Sequence, residues 1–544
     1  MDKLASRRID ASALALAVAL LLASAYNAKF WATLSQAAGG WSQLPVLAAT
    51  FLIVVLVFNA ILTLATFRYL AKPAWIVLVL VAAVASHFVT SYGIVIDKNM
   101  LQNVAETDFR EASELLSWDL AATVVILGAV PAWLIARTQI RFPLGVRGLL
   151  QRAGIASGSL LLAGLLLVCF FKSLAPVLRE HRELRFLLIP TNVVQAVHGY
   201  AGNRFASQVV VAPLGRDARK AHGWAGQPRR TLTVIVVGET ARAANFSLNG
   251  YARDTNPQLA RQEGLINFRH VSSCGTATAV SVPCVFSALG REGFTNARAS
   301  SQEGLLDILA HAGFEVLWRD NNSGCKGVCD RVRYEDMTTH ARPDSRCNAE
   351  SCYDELLLDG LPELLRRTDK DLVVVLHQQG SHGPAYAKRY PPGFGRFGPV
   401  CTSNQFAECS RESIEAAYDN TILYTDHFLD QTIRMLREAA ARESVDTAML
   451  YFSDHGESLG ENNMYLHGAP YLFAPREQTE VPMMLWMSDG FSERFQIDRA
   501  CLKEAGDRPL SHDNVFHSVL GMLGVDTVAR NPRLDLFASC RRRT

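Results

Sequence analysis

The sequence predicts two folded parts: an α-helical membrane domain of five spans, then an α/β domain on a mainly parallel sheet. Three observations predict this. Apolar runs crowd the chain up to about Ala175, whereas later residues have ordinary globular composition. Short β-branched runs alternate with helical patterns over the remainder, as in buried parallel sheets. Carboxylates and histidines stand directly after several of those runs, where ligands bind such sheets.

A spanning helix needs about 20 apolar residues. Five stretches supply cores of that kind, Ala11 to Tyr26, Leu44 to Thr66, Trp75 to Tyr92, Leu120 to Ala136 and Ala153 to Phe171. The first has two readings. Lys3, Arg7 and Arg8, a short apolar core and Ala23-Ser24-Ala25 fit a cleavable signal peptide, while Phe30 and Trp31 fit interface anchors of a retained span. Basic residues set the orientation. One side carries Lys3, Arg7, Arg8, Arg68, Lys72, Arg137, Arg141, Arg147 and Arg152, and the other only Lys29, Lys98 and Arg110. The first side is therefore cytoplasmic, and residues after the fifth span are extracytoplasmic. A net charge of +2 over 544 residues, with no basic run interleaved with aromatics, excludes a nucleic-acid partner.

Cysteine usage points to the same compartment. Of 11 cysteines only Cys169 falls in a span. Four pairs are close neighbours: Cys274 and Cys284, Cys325 and Cys329, Cys347 and Cys352, and Cys401 and Cys409. Cys501 and Cys540 remain as a fifth pair. Clustered cysteines in an exported domain predict disulfides. The interval from Cys325 to Cys329 also suits a metal, a reading that the oxidising compartment disfavours.

Between the third and fourth spans, Asp97 to Asp119 reads as a surface helix. Asn103, Thr107 and Glu111 recur at steps of four and would share one face, either solvated or cradling a lipid headgroup. Residues 1–175 thus form the membrane domain, and 176–230 hold interfacial bridging helices and a polar linker from Gly215 to Arg230. Residues 231–544 form the outer domain. Its expected strands are Leu232 to Val237, Glu315 to Trp318, Leu372 to Leu376, Ala448 to Phe452 and Val481 to Trp486, with helices at Leu305 to Ala312, Tyr353 to Arg367 and Ser413 to Ala440.

Glu239 follows the first of these strands, His377 and His382 the third, and Asp454-His455 the fourth. Two carboxylates and one imidazole from Glu239, Asp454 and His455 suit a zinc ion with one position left for the reacting group. Thr278 fills that position. A threonine hydroxyl is a poor nucleophile until a cation or base activates it. If Thr278 also began a helix, its free amides would hold an anion. His382 and His467, each before a glycine in a proline-containing loop, are expected to hold phosphate oxygens or a second metal.

Five motifs, read together, resemble one family. They are Val237-Gly238-Glu239-Thr240-Ala241-Arg242, Cys274-Gly275-Thr276-Ala277-Thr278, Ser281-Val282-Pro283-Cys284, His377-Gln378-Gln379-Gly380-Ser381-His382-Gly383-Pro384 and Ser453-Asp454-His455-Gly456-Glu457-Ser458. With the five spans they resemble the lipid A phosphoethanolamine transferases of Gram-negative bacteria, which include polymyxin-resistance enzymes. The resemblance implies a retained first span, an alkaline-phosphatase-like periplasmic domain and a monomer in the inner membrane. It implies zinc on Glu239, Thr278, Asp454 and His455, with Thr278 accepting phosphoethanolamine from phosphatidylethanolamine. It also implies that His382 and His467 lie near the phosphate. Ser323, Lys326, Asn103, Thr107 and Glu111 are implied on the headgroup side, and a lipid A phosphate as acceptor. An inner-core sugar as acceptor, or a phosphodiesterase of the same superfamily, is the alternative. A formylglycine sulfatase is excluded, because neither Cys274 nor Cys284 is followed by the required Pro and Arg. A scaffold that kept the fold would have no use for a nucleophile beside a metal.

Overall fold

The structure, a computed structural model, describes residues 8–542 except 39, 108, 144, 182–183, 205–209, 222, 339–343 and 348–350. It divides into two compact units, one of Met1–Lys98 with Leu116–His198 and one of Asn99–Leu115 with Gly199–Thr544.

Among the described residues of the first unit, four helices are long and apolar enough to cross a membrane: α3 (Leu44–Leu64), α4 (Ala71–Tyr92), α5 (Trp118–Arg137) and α6 (Gly145–Cys169). A fifth span forms if α1 (Ala11–Ala25) and α2 (Ala28–Ala37), bent by 61° at their junction, count as one. Asn27 accounts for the bend. Its amide donates to the carbonyls of Leu22 (2.7 Å) and Ile189 (2.8 Å), replacing helix bonds that the break removes. Pro131 leaves a similar gap in α5, because without an N–H it cannot bond the Leu127 carbonyl four residues back. A π-helical turn at Val124–Ala129 precedes it, and the Tyr26 hydroxyl donates to the Leu127 carbonyl instead. Asn59 of α3 donates to the Ser159 hydroxyl of α6 (3.0 Å), the kind of contact that joins helices where apolar burial offers no preference.

The second unit is built on one eight-stranded sheet. Its strands are β1 (Arg230–Gly238), β2 (Ile266–Ser272), β3 (Glu315–Asp320), β4 (Arg333–Asp336), β5 (Leu372–His377), β6 (Val445–Ser453), β7 (Glu480–Met487) and β8 (Leu510–Ser511). Their order is β8-β2-β7-β6-β1-β5-β3-β4, and only β7 runs against its neighbours. The five expected strands are all present. Central β1, β5 and β6 are buried on both faces, which is why they read as continuous apolar runs. β2 mixes buried and exposed positions and gave no such run. The helix α7 (Thr278–Val285) is short, and α8 (Arg411–Arg442) buries a long stripe against the sheet.

Every expected cysteine pair in this unit is a disulfide. Cys274 bonds Cys284 and Cys325 bonds Cys329, so the metal reading of the second interval falls away. Cys347 bonds Cys352, and the same two residues also meet as an isolated antiparallel bridge that closes a tight loop. Cys401 bonds Cys409 across the loop that leads into α8. Cys501 bonds Cys540, which fastens the end of the chain to an earlier helix.

Three stretches differ from expectation. The helix expected over Tyr353 to Arg367 is a 3-10 turn, Asp354–Leu358, and a short helix, Leu361–Arg367, separated at Gly360, whose φ of 67° no α-helix continues through. Gly215 to Arg230, polar by composition, packs into this unit: Ala218 and Trp224 join its core, and the Trp224 indole donates to the Leu523 carbonyl (2.7 Å). The segment from Asp97 to Asp119 is not one helix but two, Lys98–Glu106 and Phe109–Glu114, followed by the start of α5. Thr107 ends the first, its hydroxyl and amide both bonded to the Asn103 carbonyl (2.8 Å each), a side-chain bond that competes with continuing the helix.

Truncating Ile235→Ala in fully buried β1 is expected to cost about 2–5 kcal/mol, whereas Val528→Ala, almost fully exposed, should change stability by less than about 0.5 kcal/mol. Thermal unfolding of the detergent-solubilised protein measures both.

Candidate active site

Register alone sets two carboxylates side by side. In the parallel ladder of β1 and β6, Gly238 pairs with Ser453, so Glu239 and Asp454 leave the sheet from neighbouring positions. On the other side of β1, Val237 pairs with His377 of β5, and His377 with Asp320 of β3. Four adjacent strands thus deliver Asp454, Glu239, His377 and Asp320 to one edge, the carboxyl end, where ligands bind open α/β sheets.

Among the described residues, Glu239, Asp454 and His455 form the one group of His, Cys, Asp or Glu that could hold a metal, with one ligand atom from each within 4.8 Å of the others. All three are fully buried. The Thr278 hydroxyl joins them, 3.1 and 3.3 Å from the two Glu239 oxygens and 3.3 Å from His455 Nε2. His455 Nδ1 donates to the Gly456 carbonyl (2.9 Å), which leaves Nε2 as the ring atom that faces Thr278.

Thr278 owes its place to α7, of which it is the first residue. Its amide and that of Ala279 are the donors that this helix start leaves over, since Val280 and Ser281 both donate to the Ala277 carbonyl (3.0 and 2.8 Å). The disulfide between Cys274 and Cys284 ties the approach loop to the helix. Gly275 is required there, because a Cβ would stand 2.9 Å from Val280 Cγ1. Ser281 donates to the Asp454 carbonyl (2.5 Å), joining α7 to the end of β6. His512 Nδ1 accepts the Cys274 amide (3.1 Å) and anchors the loop from below.

Charge makes this cluster costly without a cation. Burial acts to raise the Glu239 pKa, but the imidazoles of His455, His382 and His467 overcome it and hold the group below the usual carboxylate range. Burial and the Glu239 charge push Asp454 up, and among the described residues Asp454 Oδ2 accepts no hydrogen bond, with His455 Nε2 3.4 Å away. Two buried carboxylates, one with a bare oxygen, together with an imidazole whose Nε2 faces inward, form a donor set that fits zinc.

His382 and His467 lie beside this group. The His467 ring centroid is 4.5 Å from that of His455 and 5.3 Å from that of His382. His467 Nδ1 bonds Glu457 (2.9 Å), whose pKa burial raises to about 8. Ser323 and Lys326 are also joined: Lys326 Nζ donates to the Ser323 hydroxyl (2.9 Å). Asn103 and Thr107 stand at the end of helix Lys98–Glu106, whereas the Glu111 side chain lies outside the described residues. The disulfides of Cys347 with Cys352 and of Cys401 with Cys409 supply no atom to the metal group and brace loops of the unit instead.

The eight-stranded sheet and the threonine-bearing helix define a sulfatase-like domain, and the family model described as Sulfatase matches residues 231–525. A second, described as Phosphoethanolamine transferase EptA/EptB, matches residues 54–205. Phosphoethanolamine transferase EptA of Escherichia coli K12 is 41% identical over 89% of this chain and 88% of its own. Phosphatidylethanolamine transferase Mcr-1 of Escherichia coli is 38% identical over 95% of this chain and 96% of its own. The solved lipooligosaccharide phosphoethanolamine transferase A of Neisseria meningitidis superposes with a TM-score of 0.95 at 34% identity, covering 99% of this chain and all of that one. The chain belongs to the phosphoethanolamine transferase family.

Three supporting residues escaped the sequence reading. Asn322 donates to Glu239 Oε2 (2.8 Å) and the Gln378 carbonyl (2.9 Å). Thr240, at φ 59°, donates to Glu239 Oε1. Gly380, at φ 54°, lets the β5 loop approach so closely that a Cβ would meet the Glu239 carbonyl at 2.6 Å. Each stood beside a residue that the sequence did single out, Thr240 and Gly380 inside the motifs of Glu239 and His382 and Asn322 next to Ser323, but none of the three had a role assigned.

Burial lowers the His512 pKa to about 3, so the folded protein keeps this ring neutral while the unfolded chain protonates it below its ordinary pKa near 6.5. The stability it lends is complete above that value and falls as pH drops. The melting-temperature gap between wild type and His512→Gln is therefore expected to narrow from about pH 7.5 to about pH 5. A gap independent of pH would contradict a neutral, buried imidazole.

Proposed function

We propose that the chain transfers phosphoethanolamine from phosphatidylethanolamine to a phosphate of lipid A through a covalent intermediate on Thr278, in the periplasm. The observation that carries this is the Thr278 hydroxyl, at the start of a buried helix and within 3.3 Å of both Glu239 and His455. Glu239, Asp454 and His455, with Thr278, would hold zinc. Bound there, such an ion supplies Lewis acidity that lowers the cost of ionising a hydroxyl.

The chain's own groups do the rest. Thr278 Oγ attacks the phosphorus of the donor, the Oγ–P bond forms, and the bond from phosphorus to the glycerol oxygen breaks. Glu239, which accepts the Thr278 hydroxyl, is placed to take its proton. His467 or His382 gives a proton to the departing diacylglycerol oxygen, and the α7 amides face the charge that develops on phosphorus-bound oxygens. A lipid A phosphate oxygen then attacks the same phosphorus, its proton passing to the histidine that served the first step; the Oγ–P bond breaks, and Thr278 regains from Glu239 the proton it gave up. Ser323, Lys326, Asn103, Thr107 and Glu111 form the headgroup side. An added amine reduces the negative charge of the surface, and each basic residue of a cationic peptide such as polymyxin loses part of an attraction of about 1 kcal/mol.

Mass spectrometry of lipid A from cells expressing the protein should show one added phosphoethanolamine. Thr278→Ala should abolish the addition while the protein still accumulates in the membrane, and Thr278→Ser should retain part of it. Unmodified lipid A beside a modified core sugar would move the acceptor, and full activity in Thr278→Ala would end the covalent scheme.

A further inference from the structure

The segment Asn99–Leu115, which in sequence separates two membrane spans, folds as part of the catalytic unit. It reaches three loops of the site. Met100 lies over Gly468, the residue after His467, where an added Cβ would stand 2.4 Å from Met100 Cε. Lys326 Nζ approaches the Glu106 carbonyl at 3.5 Å. Glu114 reaches furthest, forming an ion pair with Arg389 at 2.5 Å in which both side chains are almost completely buried.

Arg389 turns that pair into a link to the chemistry. Its Nη2 holds Glu114, and its Nε donates to the backbone carbonyl of His382 (2.8 Å). One rigid guanidinium thus spans the inserted segment and the histidine loop. A buried ion pair is weak support for stability alone, since desolvating both charges cancels most of their attraction. A geometric task explains it better. Among the described residues neither side chain hydrogen-bonds Glu239, Asp454, His455 or Thr278, and the bond from this pair toward the site runs to the His382 carbonyl.

We infer that Glu114 and Arg389 are positioning residues: through the bond from Arg389 to the His382 carbonyl, they hold His382 where it serves the transfer reaction. The inference rests on the role proposed above for His382. Lysine at 389 would keep the charge opposite Glu114 but could not also donate from a second nitrogen, so Arg389→Lys separates positioning from simple neutralisation.

The test measures kcat and KM for transfer from a fluorescent phosphatidylethanolamine, using the full-length solubilised protein. Wild type, Arg389→Lys, Glu114→Gln, His382→Ala and the doubles with His382→Ala are compared, with melting temperature as a check on folding. Arg389→Lys and Glu114→Gln should each lower kcat about 10- to 100-fold, with a smaller change in KM. In the His382→Ala background the same changes should cost less than about twofold, because residues that act through one group are not additive. Equal losses in both backgrounds, or wild-type kcat in Arg389→Lys, overturn the inference alone. Full activity in His382→Ala overturns the reading beneath it as well. If Glu114→Gln does not fold, Arg389→Lys, which keeps both charges, decides the question.

Discussion

Everything at this site depends on the pairing of β1 with β6. Two parallel strands in fixed register end one residue before a carboxylate, so Glu239 and Asp454 are forced together, both fully buried. A one-residue slip would reverse every side chain of β1 between the two faces of a sheet buried on both, which the core forbids. The hydrophobic effect thereby maintains an arrangement that electrostatics opposes. The like charges tolerate each other because three imidazoles and a set of amides surround them, and a divalent cation would complete the balance.

The reactive hydroxyl comes from a different part of the chain and needs its own fastening. A disulfide, the Ser281 bond to the Asp454 carbonyl and the His512 acceptor hold α7 against the strand ends. A nucleophile borne on a packed helix and ligands borne on strand ends are both rigid, so little motion is left to correct between them. The less rigid side of the site is built from loops, those of His382, His467 and Lys326, and each of these meets the segment Asn99–Leu115.

What the sequence disclosed follows from the range of the forces involved. Buried strands such as Val445–Ser453 reveal themselves because both faces are apolar, and the carboxyl-end rule then makes Glu239, Asp454 and His455 legible. Short cysteine intervals, such as Cys347 to Cys352 and Cys401 to Cys409, were legible for the same reason of range, since each bridge closes a loop within one stretch of chain. Thr278 and the histidines near it were legible from residue type and from their glycine-containing loops, and the family motifs agreed. Hidden were contacts whose meaning arises only in three dimensions. Asn322 looks like any turn residue until its amide is found on Glu239. Glu114 and Arg389 are 275 residues apart, and no local pattern joins them. Trp224 and Ala218 lay in a stretch whose composition is polar, and their packing on the core appears only in three dimensions. The break at Thr107 was concealed because a period of four fits both one helix and two.

The most direct measurement is anomalous diffraction at the zinc edge from crystals of the purified protein. A single strong peak is expected about 2.0–2.2 Å from ligand atoms of Glu239, Asp454 and His455, with the Thr278 oxygen in its coordination shell. A peak elsewhere, or one among those three residues from which Thr278 is excluded, would contradict the account.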